Sequence, residues 1–215
     1  MTKQDVRARI EEIGIIPAIR VSSVEEALFA AQSVLRGGIQ VVEITTTMPG
    51  AVEVMAELTR TMPELMVGAD AVLDAKTARA CLDAGAAFLT SPGVDLEVVN
   101  LGAGNDVLVI PGALTPSEVA AACRAGTDFI KIFPCSLVGG ANYIKALKGP
   151  FPHVAFIASG GVTQQTAGDF IRAGASALGI GEHLIPSEAV RRRNATWILE
   201  LARRFIGMIK EARAR

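Results

Sequence analysis

The stretch TPSEVAAACRAGTDFIKIF, residues 115–133, contains one complete copy of the pattern that runs through this chain. Thr115 followed three residues later by Glu118 is typical of a helix start, because the two side chains can satisfy free N–H groups of the first turn. Gly126 can adopt the left-handed conformation that ends a helix. The apolar run Phe129–Phe133 then predicts a buried strand. A helix followed directly by a strand is therefore the unit of this fold.

The same unit recurs along the whole chain. Apolar runs predict eight strands at Ile15–Arg20, Val41–Thr46, Leu65–Ala69, Phe88–Ser91, Val107–Pro111, Phe129–Phe133, Val154–Ser159 and Ala177–Ile180. Helical periodicity predicts an N-terminal amphipathic helix and helices at Val24–Leu35, Ala51–Thr61, Lys76–Ala84, Pro116–Ala125 and Gln164–Ala173. Several helices end on a glycine, at Gly38, Gly85, Gly126 and Gly174. This internal repeat of strand and helix predicts parallel strands joined by right-handed crossovers.

Eight such units predict a closed barrel. The expected fold is α/β, a (βα)8 TIM barrel with an N-terminal helix, formed by residues 1–215 as a single domain. A doubly wound open sheet is the alternative, but it normally carries a Gly-rich turn after its first strand. Here the first strand is followed by Arg20-Val21-Ser22-Ser23, and no Pro/Gly/Ser-rich linker divides the chain.

The composition excludes several classes of partner. Half of the 215 residues are hydrophobic and 5% are aromatic, which fits a large core of aliphatic side chains. The net charge of −1 offers no basic excess for nucleic acid or an anionic membrane. We find no signal peptide and no apolar run of roughly 18 residues, the length of a membrane span. The odd number of cysteines, three, favours free thiols and a cytoplasmic location.

Three charged residues at or near strand ends mark the candidate active site, since barrel enzymes build their sites at the C-terminal ends of the strands. They are Arg20, Glu43 and Lys131. Burial of Lys131 between Ile130 and Ile132 should lower its pKa and supply the neutral amine that attacks a ketone. The alternative is a structural pair between Lys131 and a buried carboxylate.

Glu43 is the matching carboxylate inside an apolar strand. Strand alternation places Val41, Glu43 and Thr45 on one face. A glutamate near a Schiff-base lysine can move the protons that imine and enamine formation require. A structural ion pair of Glu43 with Lys131 or Arg20 needs the same geometry and stays open. Arg20 could hold a substrate carboxylate in a bidentate contact, or could instead form a salt bridge with Glu43.

The last two predicted strands end in glycine pairs, Ser159-Gly160-Gly161 and Gly179-Ile180-Gly181. In barrels, the loops at these positions often bind phosphate through backbone N–H groups. We expect no metal and no cofactor. His153 and His183 are far apart in the sequence, and no Cys/His cluster has ligand-like spacing.

Taken in order, these motifs resemble the bacterial 2-keto-3-deoxy-6-phosphogluconate / 4-hydroxy-2-oxoglutarate (KDPG/KHG) aldolases over most of the chain. The resemblance is carried by Ile16-Pro17-Ala18-Ile19-Arg20, Val42-Glu43-Ile44-Thr45, Val67-Gly68-Ala69, Ser91-Pro92-Gly93, Ile110-Pro111-Gly112, Lys131-Ile132-Phe133-Pro134, Lys145-Ala146-Leu147-Lys148-Gly149-Pro150-Phe151 and Gly160-Gly161-Val162. It implies a homotrimeric, cytoplasmic class I aldolase without a metal. It also implies that the Schiff-base lysine is Lys131 and the proton-transferring glutamate is Glu43.

The sequence departs from the family pattern at three places. Many members have an arginine that helps to hold the pyruvyl carboxylate where Thr47 stands, although others also have threonine. The usual Gly-Thr after Val-Gly-Ala is replaced by Asp70-Ala71, which removes a hydroxyl near the pyruvate pocket and adds an acid. Glu182 replaces the serine that contacts phosphate in members using a phosphorylated sugar acid.

The resulting hypothesis is a class I aldolase that cleaves a 2-keto-3-deoxy or 4-hydroxy-2-keto acid to pyruvate and an aldehyde, with a relaxed need for a substrate phosphate. Lys131 and Glu43 are the predicted catalytic residues. The predicted substrate-binding residues are Arg20, Thr45, Thr47, Pro92, Phe133, Ser159, Gly160, Gly161, Gly181 and Glu182. Two alternatives remain: a phosphate-binding barrel isomerase or synthase without a covalent step, and a catalytically silent trimeric barrel.

Overall fold

Parallel strands close into a barrel in the computed structural model, which describes residues 1–214. The strands are β1 (Ile15–Ile19), β2 (Val41–Thr45), β3 (Met66–Asp70), β4 (Phe88–Thr90), β5 (Leu108–Ile110), β6 (Gly112–Ala113), β7 (Phe129–Ile132), β8 (Ala155–Ser159) and β9 (Ala175–Ile180). Their order is β5-β4-β3-β2-β1-β9-β8-β7-β6. Since every neighbouring pair is parallel, the predicted parallel arrangement of the strands is confirmed.

The barrel closes at Pro111, which separates β5 from β6. β5 and β6 stand at the two ends of the strand order, yet they are consecutive in the chain. They therefore form two halves of one strand. A proline has no N–H group to donate, so the strand is interrupted there. The carbonyl of Pro111 still accepts a hydrogen bond from the backbone N–H of Lys131, at 2.9 Å. The predicted eight-stranded barrel is therefore confirmed, with its fifth strand split in two.

Helices cover the outside of the barrel and alternate with the strands. They are α1 (Lys3–Ile13), α2 (Val24–Arg36), α3 (Ala51–Thr61), α4 (Ala75–Asp83), α5 (Leu96–Gly104), α6 (Pro116–Arg124), α7 (Ala141–Lys148), α8 (Ala167–Arg172), α9 (Ser187–Arg191) and α10 (Ala195–Arg213), with a 3-10 helix at Cys135–Val138. None of the helices within residues 1–214 combines the length and apolar character needed to cross a membrane.

The predicted helix signals operate as expected. Thr115 and Glu118 form a reciprocal capping box at the start of α6. All four glycines predicted to end helices have positive φ: Gly38 at 98°, Gly85 at 91°, Gly126 at 75° and Gly174 at 103°. A left-handed residue turns the chain sharply, so each helix returns to the barrel within a few residues.

Two boundaries differ from the prediction in ways that matter. Helix α8 begins at Ala167 instead of Gln164, because the Thr166 hydroxyl accepts from the Thr163 N–H and forms a turn first. Strand β3 runs one residue further than predicted and ends at Asp70. Asp70 is therefore part of a barrel strand, with a fixed side-chain direction, and is not a loop residue.

The core fills both the barrel interior and the layer between strands and helices. The largest fully buried side chains include Phe88, Phe129 and Phe156, each from a different strand. Phe88 lies against Gly68, where an added Cβ would come within 2.3 Å of the ring. Phe156, in contrast, lies beside Lys148 of α7, in the layer between strands and helices.

Candidate active site

A cavity of about 350 Å³ opens at the C-terminal ends of the strands. The residues that line it come from the ends of seven strands or from the loops after them. They are Ala18, Arg20, Glu43, Asp70, Ala71, Pro92, Lys131, Phe133, Ser159, Gly160, Gly161, Val162, Gly179, Gly181, Glu182, His183, Ile185 and Ser187. This is the position at which barrel enzymes place their active sites.

Four polar side chains meet at the floor of this cavity. The Nζ of Lys131 lies 2.7 Å from Oδ1 of Asp70, 3.3 Å from Oε1 of Glu43 and 3.4 Å from Oγ1 of Thr90. Lys131 and Asp70 are 6% exposed, and Glu43 and Thr90 are 1% exposed. Ion pairs this well buried are screened little by solvent. The protonation states of Lys131, Asp70 and Glu43 therefore depend strongly on one another.

Strand register brings these groups together. Glu43 lies in β2, Asp70 in β3, Thr90 at the end of β4 and Lys131 in β7. Below them, Ile16, Ile110 and Ile157 line the closed interior of the barrel. The cluster is consequently shielded from water on its lower side and reaches solvent only through the cavity.

The electrostatics of Lys131 differ from the sequence expectation. Burial by itself lowers the pKa of Lys131, but the negative charges and hydrogen bonds of Glu43 and Asp70 outweigh it and hold the pKa above its ordinary value. The predicted lowering of this pKa is therefore wrong for the substrate-free site. The physical reason is that strand register places two carboxylates, and not one, against the amine.

The two carboxyl groups are shifted in opposite directions. Burial, followed by the charge of Asp70, raises the pKa of Glu43 to about 7. Burial would also raise the pKa of Asp70, but the Lys131 charge, with hydrogen bonds from Lys131, Thr45 and Thr90, lowers it below its usual value. Near neutral pH the cluster thus holds a cationic lysine, an ionised Asp70 and a Glu43 poised to gain or lose a proton.

Arg20 faces Asp70 and not Glu43. Its Nη2 lies 3.8 Å from Oδ2 of Asp70, and its side chain is 69% exposed. The alternative of a salt bridge between Arg20 and Glu43 is not what the structure shows, because Asp70 extends from β3 toward the guanidinium. Arg20 remains free to turn toward a ligand, since a long exposed pair of this kind contributes little to stability.

Most of the predicted binding residues line the cavity. Those that do are Arg20, Pro92, Phe133, Ser159, Gly160, Gly161, Gly181 and Glu182. Thr45 and Thr47 do not. Thr45 shares a face with Glu43 as alternation predicted, but it is fully buried and its hydroxyl donates to Oδ2 of Asp70 at 2.8 Å. Thr47 is exposed beyond the end of β2.

The loop after β8 has a backbone that only glycine adopts easily. Gly160 and Gly161 have φ values of 85° and 82°. A Cβ on Gly161 would come within 2.0 Å of the Ser136 hydroxyl oxygen, so the loop packs closely on the chain after β7. Both glycines thereby bring main chain, without side chains, to the wall of the cavity.

Glu182 lies at the mouth of the cavity and is exposed. It accepts a hydrogen bond from the Ser187 hydroxyl at 2.9 Å, which holds it beside the entrance. Arg20 and Arg191 line a groove next to the cavity that Glu182 and Ser187 also line. No lysine or arginine adjoins Glu182 in the sequence. In the folded chain, however, the two arginines lie in the same groove as Glu182.

Sequence reasoning missed several residues of the site, including Asp70, Thr90, His183 and Ser187. It treated Asp70 only as a departure from a pattern, and it did not select Thr90 or His183. Thr90 is of a residue type common in strands, so the sequence does not mark it. Its contacts with Glu43 and Asp70 form only because β4 pairs with β3. His183 lines the mouth of the cavity next to Glu182. No group of three His, Cys, Asp or Glu side chains within residues 1–214 is arranged to hold a metal ion.

The arrangement combines a buried amine, a carboxyl group that titrates near neutrality and an open cavity above them. An amine that can pass its proton to a neighbouring carboxylate is equipped to attack a carbonyl carbon. The same carboxyl group is within reach to return protons to the product of that attack.

Comparison with known proteins points to the same chemistry. The family model described as KDPG and KHG aldolase matches residues 6–201. A 2-dehydro-3-deoxy-phosphogluconate aldolase from Pseudomonas aeruginosa is 30% identical over 94% of this chain and 92% of its own length. The crystal structure of a KDPG aldolase from Legionella pneumophila, with pyruvate captured at low pH as a covalent carbinolamine intermediate, has a TM-score of 0.86 and 30% identity. It covers 91% of this chain and 95% of that one.

A third similar structure is a cube-shaped, highly porous protein cage designed by fusing symmetric oligomeric domains. It has a TM-score of 0.87 and 28% identity, and the match covers 94% of this chain and 74% of the cage chain.

Proposed function

This chain belongs to the KDPG and KHG aldolase family, and from that premise we propose that Lys131 forms a Schiff base with a keto acid and that Glu43 moves the protons. The enzyme is a carbon–carbon lyase of the class I type. Its proposed substrate is a 2-keto-3-deoxy or 4-hydroxy-2-keto acid, which it cleaves to pyruvate and an aldehyde. The observation that carries the proposal is the contact of the buried Lys131 amine with two carboxylates on the floor of an open cavity.

Schiff-base formation begins with a proton transfer. Ionised Glu43 takes a proton from the Lys131 ammonium group, and the neutral amine attacks C2 of the keto acid. The N–C bond forms while the carbonyl oxygen takes the proton from Glu43, giving a carbinolamine. The nitrogen then returns a proton to Glu43, which passes it to the hydroxyl group, and water leaves. The product is an iminium ion on Lys131, with Glu43 ionised again.

Cleavage uses the same carboxylate. Glu43 takes the proton of the C4 hydroxyl group, the C4–O bond becomes a carbonyl and the C3–C4 bond breaks. Its electron pair moves into the iminium group, which becomes a neutral enamine, and the aldehyde leaves. Glu43 then gives its proton to C3, and water hydrolyses the iminium ion to pyruvate and the Lys131 ammonium group.

The charged residues at the rim fit an anionic substrate held at two ends. Arg20 is placed to contact the carboxylate of the keto acid, because it lines the cavity beside the amine. Gly160 and Gly161 offer main-chain groups at the other side. Glu182 would repel a phosphate there. Of the two arginines in the adjoining groove, Arg20 is assigned to the keto acid carboxylate and Arg191 does not line the cavity. We therefore propose that an unphosphorylated keto acid is used at least as well as its 6-phosphate.

Borohydride reduction tests the covalent step. The protein is mixed with pyruvate, reduced and digested, and mass spectrometry locates the added mass. We expect it on Lys131, and we expect Lys131→Met to give no adduct and no cleavage. Lys145→Met is the matched control, since Lys145 is an exposed residue of α7. A barrel isomerase, or a silent barrel, would give no adduct in the wild type, and that result would overturn the proposal.

We also propose a homotrimer in the cytoplasm, with residues 1–215 forming a single domain. The similar cage built from symmetric oligomeric domains supports a symmetric assembly. Leu73, Leu96 and Leu137 are large apolar side chains that are 61%, 57% and 81% exposed, as expected of residues that contact another subunit. The three cysteines are free, which fits a reducing compartment.

A further inference from the structure

The hydroxyl group of Thr90 lies between two buried carboxyl groups. Its Oγ1 is 2.8 Å from Oε2 of Glu43 and 2.9 Å from Oδ1 of Asp70. A hydroxyl group has one proton to donate and lone pairs to accept. Both short contacts can be hydrogen bonds only if Thr90 donates to one carboxyl group and accepts a proton from the other. The geometry therefore fits a pair of acids that holds one proton.

We propose that Glu43 and Asp70 act as one dyad that shares a single proton through the Thr90 hydroxyl, with Glu43 as the member that exchanges this proton with Lys131 and the substrate. This inference rests on the proposed function and adds two residues to it. Asp70 and Thr90 are positioning residues: they act on the reaction through the protonation state of Glu43.

The surroundings decide which member keeps its negative charge. Asp70 accepts the shorter of the two hydrogen bonds that Lys131 donates to carboxyl groups, at 2.7 Å. It accepts another hydrogen bond from Thr45, at 2.8 Å. Arg20 also faces Asp70. Glu43 has the longer contact with Lys131, at 3.3 Å, and is the more deeply buried of the two. The ionised state is thus stabilised on Asp70, and the shared proton resides on Glu43.

The charge of Asp70 then acts on Glu43. Two carboxylates in one site cannot both ionise easily, so the second proton leaves at a higher pH than that of an isolated acid. The charged groups facing Glu43 are Asp70 from β3 and Lys131 from β7, while Arg20, beyond β1, faces the far oxygen of Asp70. Consistent with this, the pKa of Glu43 is about 7 and Asp70 is among the causes of its increase.

The proton balance of the dyad follows the proposed reaction. When the dyad holds its proton, Glu43 is neutral and cannot take one from the Lys131 ammonium group. When the dyad has lost that proton, Glu43 takes one from Lys131, and the amine becomes a nucleophile. The dyad then gives the proton back when the carbonyl oxygen becomes a hydroxyl group. Each step moves one proton between named groups, and Asp70 stays ionised throughout.

The test measures the titration of Glu43 directly. The δ-carbon of glutamate is labelled with carbon-13, the Glu43 signal is identified by its loss in Glu43→Gln, and its midpoint is followed by NMR in the substrate-free protein. We expect a wild-type midpoint near 7. Asp70→Asn removes the neighbouring charge, so the midpoint should fall by about one pH unit or more.

The Thr90 variants test the bridging hydroxyl group itself. Thr90→Val keeps the shape but removes the hydroxyl oxygen that accepts the proton of neutral Glu43 in the dyad, so the protonated form loses stabilisation and the midpoint should fall. A rise would mean that Thr90 donates to ionised Glu43 instead, and it would overturn the shared proton. Thr90→Ser keeps the hydroxyl and should restore the wild-type midpoint. Thr45→Val is the matched control, because it removes a hydrogen bond of equal length from the outer oxygen of Asp70. Its Glu43 midpoint should move less than that of Thr90→Val, because Asp70 keeps its contacts with Lys131 and Thr90 and therefore keeps its charge.

The pH at which kcat/KM falls on the acid side should follow these midpoints and move down in both Asp70→Asn and Thr90→Val. An unchanged midpoint in either variant would overturn the dyad. If Asp70→Asn does not fold, Thr90→Val and Thr90→Ser still decide the question. Failure of the proposed function looks different: the midpoints would shift as described, but borohydride would leave Lys131 of the wild type unmodified.

Discussion

Replacing Lys131 by methionine should destabilise the barrel in a strongly pH-dependent way. The substitution removes the cation that lies 2.7 Å from Asp70 and 3.3 Å from Glu43, and it leaves both carboxyl groups buried. Removing one partner of a buried ion pair costs about 3–5 kcal/mol, because the remaining charge keeps its desolvation penalty. A domain of this kind is stable by only about 5–15 kcal/mol, so the loss at pH 8 should be easy to measure.

The pH dependence follows from the sign of the pKa changes. Lys131 lowers the pKa of both Glu43 and Asp70, so its removal raises both. An acid whose pKa is higher in the folded state stabilises the fold below its unfolded pKa, and this stabilisation is lost as pH rises through the folded pKa. For Glu43 the window runs from 4.5 to above 7. The variant should therefore approach wild-type stability at pH 5 and fall well below it at pH 8.

Urea unfolding at pH 5 and pH 8 provides the assay, with Lys145→Met as the exposed control. A double variant, Lys131→Met with Glu43→Gln, should recover part of the loss at pH 8, because one of the two unpaired charges is gone. A stability loss of the same size at both pH values would refute the reasoning, since it would show that the lost contact is one of packing and not of charge.

Three further outcomes are expected. Glu43→Gln should lower turnover by about 10²–10⁴-fold while borohydride still traps the pyruvate adduct; unchanged turnover would make Glu43 structural. Wild-type enzyme should cleave 2-keto-3-deoxygluconate at least as well as its 6-phosphate by kcat/KM, and Glu182→Ser should shift this ratio toward the phosphate by about fivefold, given a repulsion of roughly 1 kcal/mol. A strong wild-type preference for the phosphate that the mutation does not change would contradict this. Light scattering should give a mass near three chains, and a monomer at micromolar concentration would exclude the trimer.

Much of the fold could be predicted because its signals are local. Apolar runs located the strands, and glycines such as Gly126 marked helix ends, since a left-handed residue is required there whatever surrounds it. The split of one strand at Pro111 was not predicted. The interruption depends on how the barrel closes, and closure is a property of the whole sheet that no local window contains.

Site residues could be predicted only where a charged residue stands within an apolar stretch of sequence. Lys131 and Glu43 are charges within apolar strands, so each is conspicuous in the sequence. Thr90 is an ordinary strand residue, and it matters through Glu43, which lies 47 positions away. Asp70 falls one residue beyond the predicted end of its strand, so its direction was undefined until the register was known. Thr45 was expected to contact substrate, but the side chain of Asp70 covers it.

The break at Pro111 divides the reactive groups between two parts of the chain. Glu43, Asp70 and Thr90 all precede it, and Lys131 follows it. The acids and the amine are 61 and 88 residues apart, so they come together only when the last strands complete the barrel. A growing chain on the ribosome thus carries the two acids before it carries the lysine, and all three are solvated until the strands pair. Lys131 therefore gains the neighbouring carboxylate that can accept its proton only when the strands on both sides of Pro111 have paired.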